Sequence, residues 1–304
     1  TARAALAPRV KRLLQDEQNE LLDAVRRQKG KGDALDAVPA EDAQVAAWAA
    51  VFRPAVDDVY AAGRTLGGGR TRPAPDDLVT IADGEAEAML GEGLEQILPG
   101  LAIVGEEAAH ADPRVLARLS GDCWIVDPLD GTHNFAHGRP PFGILIALAE
   151  RGEAVAGWIY DCLSGRFCHA RHGGGAFING ERIAARPSGE TPPVAAISTI
   201  FMDVAERERV RAHVAPHYRL VDTPRCAAEQ YPRLALGAND VSIFNRTLAW
   251  DHAAGVLWLN EAGGKACRPD GAAYRVDQGE RTGLLGAASP ALWDQLAARY
   301  AMLP

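Results

Sequence analysis

The chain has 304 residues, of which 47% are hydrophobic and 24% charged, and its formal net charge is −8. That composition is globular and excludes an intrinsically disordered chain. The acidic balance argues against nucleic acid or an anionic membrane as partner, and no apolar run approaches the roughly 20 residues of a spanning helix.

In chain order, Val10, Leu13, Leu14, Leu21, Leu22 and Val25 recur at helical spacing and predict a helix over about 7–28. The charges between Arg3 and Arg12 are expected on its solvated face. A second helix is predicted over about 41–62, bent or interrupted at Pro54. Gly67-Gly68-Gly69 with Pro73 and Pro75 marks a loop. Residues 77–83 read as a short strand or turn feeding a helix over 84–98, which Pro99-Gly100 ends. Leu101–Gly105 and Cys123–Val126 are short apolar strands. Phe142–Ala149 and Ala154–Tyr160 are consecutive strands about the turn Glu150-Arg151-Gly152. Arg166–Ala170 and Gly175–Ile178 continue this region, with Asn179-Gly180 as a hairpin signal. The polar, Pro-containing stretch Arg186–Pro193 is the best internal boundary. It divides one compact unit into halves of residues 1–188 and 189–304. Beyond it, strands and helices alternate. A helix is predicted over 250–262, ending at Gly263-Gly264. Ser289 caps a final helix over 290–302, with Pro at its first position. This order predicts mixed α and β layers.

Several motifs fail on inspection. His172-Gly173-Gly174-Gly175 has no accompanying G-x-S-x-G, so a serine hydrolase is not indicated. Gly67–Gly69 is not followed by Gly-Lys-Ser/Thr, and there is no G-x-G-x-x-G. His133 and His137 are four apart but lack the H-E-x-x-H context, so they are expected at the surface or behind a site, not as metal ligands. Cys123, Cys162, Cys168, Cys226 and Cys267 form no C-x-x-C pair. They read as reduced thiols of a cytoplasmic protein, without structural zinc. The opening residues show no signal-peptide pattern.

The informative feature is a set of acids at strand ends. Asp127 and Asp130 flank Pro128-Leu129 directly after the apolar run Trp124-Ile125-Val126. Unpaired buried carboxylates are expensive, and two unit charges about 4 Å apart repel by roughly 4 kcal/mol at an effective dielectric of 20. A divalent cation would neutralise them, and an all-oxygen donor set favours magnesium, manganese or calcium over zinc. Gly131 permits a tight bend, and Thr132 stands where a helix would begin and offer free N–H groups to a phosphate. The bland alternative is an Asp-Gly turn with a Thr cap.

The run Trp124–Phe135, WIVDPLDGTHNF, resembles the first signature of the inositol monophosphatase family, part of the magnesium-dependent, lithium-sensitive phosphatases that include fructose-1,6-bisphosphatase. Leu78–Asp83 resembles the upstream Val-Thr-x-x-Asp element, and Gly105-Glu106-Glu107 the family's Gly-Glu-Glu. Trp250–Gly255 with Glu261–Gly264 resembles the second signature. The resemblance spans about 77–264 and implies a layered α-β-α-β-α sandwich, α+β in class, that assembles as a homodimer. It implies two or three Mg2+ ions. Glu106, Asp127 and the Leu129 carbonyl would hold one, and Asp127, Asp130 and Asp251 a second. Asp83 would assist a weaker third. Asp83 and Thr132, with Glu106, would activate water, and the Gly131 and Thr132 N–H groups would hold the phosphate of a small phosphate ester.

The substrate end departs from the pattern. A small polar string is replaced by Arg225-Cys-Ala-Ala-Glu229-Gln-Tyr231. Where inositol monophosphatases carry a glutamate that contacts an inositol hydroxyl, seven residues before Asp251, this chain has Phe244, followed by Asn245 and Arg246. Arg225, Glu229, Tyr231, Phe244, Asn245 and Arg246 are therefore the substrate-side candidates, with surface or packing roles as the alternative. The lysine often found before the Val-Thr element is absent, leaving Arg70 and Arg72 as the nearest cations. The reading is a magnesium-dependent phosphomonoesterase. Its alternatives are a relative specific for 3′-phosphoadenosine 5′-phosphate, histidinol phosphate, a sugar bisphosphate or NADP, or a catalytically retired binding protein. The intact acidic set speaks against the last.

Overall fold

The computed structural model describes residues 81–302, with side chains from Asp83 onward, and the backbone pairing of β1 (Arg70–Thr71) with β2 (Leu78–Val79). The helices expected over 7–28 and 41–62, the basic face at 3–12, the glycine loop at 67–69 and the side chains of Arg70 and Arg72 lie outside the described residues.

A seven-stranded sheet runs in the order β3 (Ala102–Gly105), β4 (Cys123–Asp130), β5 (Gly143–Glu150), β6 (Glu153–Asp161), β7 (Phe167–Arg171), β8 (Gly175–Ile178), β9 (Glu181–Ile183). β3 and β4 are parallel, joined through helix α2 (Glu106–Ala111) and a 3-10 turn at Pro113–Ser120. The other strands form an antiparallel meander. The β8–β9 turn is made by Asn179 and Gly180, with φ of 51° and 84°, the left-handed pair that a tight hairpin requires.

Strand alternation sends Trp124, Val126, Ile144, Ile146 and Leu148 to one face of this sheet. Helix α1 (Ile81–Ile97) covers that face with Ala86, Leu90 and Leu94, spaced one turn apart. Ile125, Leu145, Ala147 and Ile159 point the other way, onto α5 (Ala227–Ala235) and α6 (Ala249–Glu261). A five-stranded sheet lies beyond these two helices, in the order β11 (Arg219–Val221), β10 (Val194–Ile197), β12 (Val241–Phe244), β14 (Leu284–Ala287), β13 (Lys265–Cys267). Its outer face is covered by α4 (Val204–His213) and α7 (Pro290–Ala301) through Val210, Trp293 and Leu296. The result is the layered α-β-α-β-α sandwich.

Helix α6 is the central layer, which is why it is apolar all round: between Ala249 and Leu259 only Asp251 is not buried. It approaches the sheet closely at Gly157 of β6, where a Cβ would stand 2.9 Å from Ala254 Cα. Two expectations differ in extent. The strand expected at 123–126 continues to Asp130 through an irregularity between Asp127 and Asp130, where Pro128 has no N–H for the ladder. The helix expected from Gly84 begins at Ile81. The stretch 184–193 crosses between the sheets without regular structure. All five cysteines are free thiols.

Candidate active site

Because β3 and β4 are parallel neighbours, their C-terminal ends open on the same edge of the sheet. Glu106 follows β3 directly and starts α2, with Gly105 as its N-cap. Glu87 on α1 holds that helix start: its carboxylate accepts from Glu107 N at 2.8 Å and Ala108 N at 2.9 Å. A Cβ at residue 105 would meet the Glu87 carboxylate, so a larger residue there would have to push that side chain off the helix start. Sequence reasoning missed Glu87, although its place one helical turn after Asp83, on the same face, was a usable signal.

Asp127 and Asp130 stand at the end of β4, both buried. Asp127 Oδ1 accepts from Leu129 N at 3.0 Å, and Asp130 Oδ2 from Ala228 N, at the start of α5, at 2.6 Å. Asp251 comes from the first turn of α6, across the layer boundary. Asp127, Asp130 and Asp251 each offer a carboxylate oxygen within 4.8 Å of the others. Burial, followed by the charges of Glu106, Asp130 and Asp251, holds the Asp127 carboxyl well above the usual range, and the Leu129 N–H opposes this only partly. Asp130 is pushed up to about 7 by burial and then by Asp251, against the Ala228 N–H. Such shifts measure like charge gathered in a dry place. The donors are all oxygen, so the cluster fits a hard divalent cation, which would return these carboxyls to their ionised form.

Gly131 links strand to helix with φ 86°, ψ 28° and caps α3 (Thr132–Ala136). Thr132 Oγ1 lies 2.8 Å from the Leu129 carbonyl and 3.2 Å from Asp83 Oδ1. One hydroxyl proton is thus offered two acceptors. Asp83 is buried behind Thr132 and does not reach the cavity wall. His133 and His137 stack on one another at 4.4 Å, and His137 Nδ1 donates to the His133 carbonyl.

A cavity of about 190 Å³ opens over the cluster. Glu106, Asp127, Leu129, Asp130, Gly131, Thr132 and Asp251 line its wall, together with Phe201, Arg225, Phe244, Asn245 and Arg246 among others. Two residues expected on that wall lie elsewhere. Glu229 is held away by Arg166 at 2.6 Å and Arg233 at 2.8 Å. Tyr231 is fully buried, stacked on Phe244 at 5.6 Å and bonded to His252 Nδ1 at 2.8 Å. His252 is neutral, its pKa lowered to about 3 chiefly by burial. Its Nε2 donates to the Arg246 carbonyl at 3.1 Å, so Nδ1 accepts from the tyrosine. Asn245 Nδ2 donates to Glu206 at 2.9 Å. The Arg246 guanidinium lies over the Phe201 ring at 4.1 Å, with Nη2 3.9 Å from Asp251 Oδ2.

A five-layer α-β-α-β-α fold with an all-oxygen acidic cluster at the ends of parallel strands, beside a glycine-capped helix start, defines a metal-dependent phosphatase. Residues 39–301 match the inositol monophosphatase family, and the chain belongs to it. It is a phosphoric monoester hydrolase of that family. It is 38% identical to the inositol-1-monophosphatase of Bacillus subtilis over 64% of this chain and 73% of that protein. It is 31% identical to the fructose-1,6-bisphosphatase/inositol-1-monophosphatase of Thermotoga maritima over 62% and 70%. The extragenic suppressor protein suhB of Bartonella henselae superposes with a TM-score of 0.69 at 25% identity, over 82% of this chain and 95% of that one. Among the described residues no helix is long and apolar enough to cross a membrane.

Proposed function

We propose that the chain hydrolyses a small phosphate monoester with two or three Mg2+ ions, and that the acidic cluster is where they bind. Glu106, Asp127 and the Leu129 carbonyl would hold one ion, and Asp127, Asp130 and Asp251 another; Asp83, buried behind Thr132, would assist a weaker third from behind the cavity wall. The observation that carries this reading is the meeting of three carboxylates from β4 and α6 within 4.8 Å, two of them buried and raised in pKa by burial and their mutual charge.

Bound magnesium supplies Lewis acidity: it stabilises negative charge and lowers the pKa of water. The protein's own groups do the rest. Thr132 Oγ1, within reach of Asp83 Oδ1 at 3.2 Å, would accept a proton from an attacking water while passing its own hydroxyl proton to the Asp83 carboxylate. The Gly131 and Thr132 N–H groups, at a helix start, receive the phosphate oxygens. Phe244 replaces a hydrogen-bonding acid with an apolar ring, which favours a leaving group other than inositol. The Thermotoga relative, whose name covers two substrates, supports a family site that tolerates such variation. Lithium inhibition, a homodimer, a cytoplasmic location and a division into halves 1–188 and 189–304 belong to the same reading.

The test is phosphate release from inositol 1-phosphate, 3′-phosphoadenosine 5′-phosphate, histidinol phosphate, fructose 1,6-bisphosphate and NADP, with magnesium and with chelator. Magnesium-dependent release lost in Asp251→Asn is expected. Release that persists in chelator contradicts the reading.

A further inference from the structure

We propose that Arg246 selects substrates whose leaving group carries a second anion, a carboxylate or another phosphate; this rests on the phosphatase reading above. Arg246 lines the same cavity as the Gly131–Thr132 turn, beside Asp251. Its guanidinium is fixed without being satisfied. The Phe201 ring supports it at 4.1 Å, and its backbone carbonyl is anchored by His252. Yet among the described residues none of its guanidinium N–H groups is hydrogen-bonded, and its Nε is buried without a partner. The nearest carboxylate, Asp251, is 3.9 Å from Nη2, beyond hydrogen-bonding distance.

Three features give that arrangement a ligand. An arginine fork matches carboxylate or phosphate oxygens in the plane of its donors. Phe244, next but one in sequence, cannot accept from a polyol hydroxyl and is locked by stacking on Tyr231, so the wall recognises charge in preference to hydroxyls. Finally, cations bound at Asp127, Asp130 and Asp251 would engage the Asp251 carboxylate and leave Arg246 as an uncompensated positive group facing the leaving-group side.

Two matched pairs test this: glycerol 2-phosphate against 2-phosphoglycerate, which differ by a carboxylate, and fructose 1-phosphate against fructose 1,6-bisphosphate, which differ by a phosphate. Wild type is expected to have the higher kcat/KM for the anionic member of at least one pair, and which pair identifies the anion. Arg246→Met should lower that preference roughly ten- to a hundredfold, the worth of a hydrogen bond to a charged group, chiefly through KM. Arg246→Lys should restore part of it, as a point charge without the fork. The proposal is overturned if wild type prefers the member without a second anion in both pairs. It is also overturned if Arg246→Met lowers both members of each pair equally, which would make Arg246 a support for Asp251. Collapse of the preference in Arg225→Met but not in Arg246→Met overturns it too. No turnover of either anion-bearing member by enzyme that hydrolyses another ester of the panel above overturns the inference alone, whereas no magnesium-dependent release from any ester of either set removes the phosphatase reading and the inference with it.

Discussion

Replacing Asp130 with asparagine should make the metal-free protein more stable while removing its activity. Asparagine keeps the shape of the side chain, and its amide oxygen can still accept the Ala228 N–H. What it removes is a negative charge in a buried cluster. Burial and Asp251 raise the Asp130 carboxyl from 3.8 to about 7. At about 1.36 kcal/mol per unit, that costs the folded state up to about 4 kcal/mol above pH 7. Coulomb's law gives a similar size: carboxylate oxygens within 4.8 Å repel by about 3 kcal/mol or more at an effective dielectric of 20. The sign follows from the raised folded-state pKa. The destabilisation is absent below about pH 4, grows between there and about 7, and is complete above. In chelator at pH 8, Asp130→Asn should therefore be about 2–4 kcal/mol more stable than wild type, and unfold roughly 4–10 °C higher. The gap should narrow steadily towards pH 4. Magnesium should stabilise wild type far more than the variant. Urea and thermal unfolding at pH 8, 6 and 4, each with chelator and with magnesium, measure all three. A variant less stable than wild type in chelator at pH 8, or a gap that does not change with pH, would refute the reasoning.

Three other substitutions test how the fold positions the site. Gly157→Val should force β6 and α6 apart, because even a Cβ there stands 2.9 Å from Ala254 Cα; a loss of about 1–3 kcal/mol in stability and a weaker magnesium dependence are expected, the latter because Asp251 rides on α6. Gly131→Ala places a side chain at φ 86° and 2.9 Å from the Pro141 carbonyl; about 1–2 kcal/mol of backbone cost and a fall in kcat on the order of a hundredfold from a displaced turn should appear in unfolding and steady-state assays. Glu87→Ala leaves the Glu107 and Ala108 N–H groups unmatched; the magnesium concentration for half activity should rise several-fold, and an unchanged titration would detach Glu87 from the placement of Glu106.

The local parts of this protein were legible in its sequence. Apolar runs of strand length on either side of Glu150-Arg151-Gly152 located β5 and β6 to within a residue or two, Ser289-Pro290 marked the start of α7, and the acids at 127 and 130 stood out against the apolar run before them. What brings Asp251 to those acids was not legible from spacing. It depends on α6 being wedged between two sheets, and only the resemblance pointed there. The substrate side was hardest to read because α5 is a helix: residues two apart face different ways. Glu229 turns to Arg166 while Tyr231 packs on α6, where a Cβ on Gly255 would collide with its ring. The placement of the Arg246 guanidinium over Phe201 joins residues 45 apart and has no local signature.

Everything proposed for the reaction depends on Asp127, Asp130 and Asp251 binding a divalent cation together. The most direct measurement is an anomalous difference map from crystals of the protein soaked in manganese, a magnesium substitute visible near its absorption edge. A peak is expected about 2.1–2.2 Å from carboxylate oxygens of all three residues, and it should be lost in Asp130→Asn. Manganese-supported phosphate release from crystals that show no peak at these carboxylates would contradict shared binding.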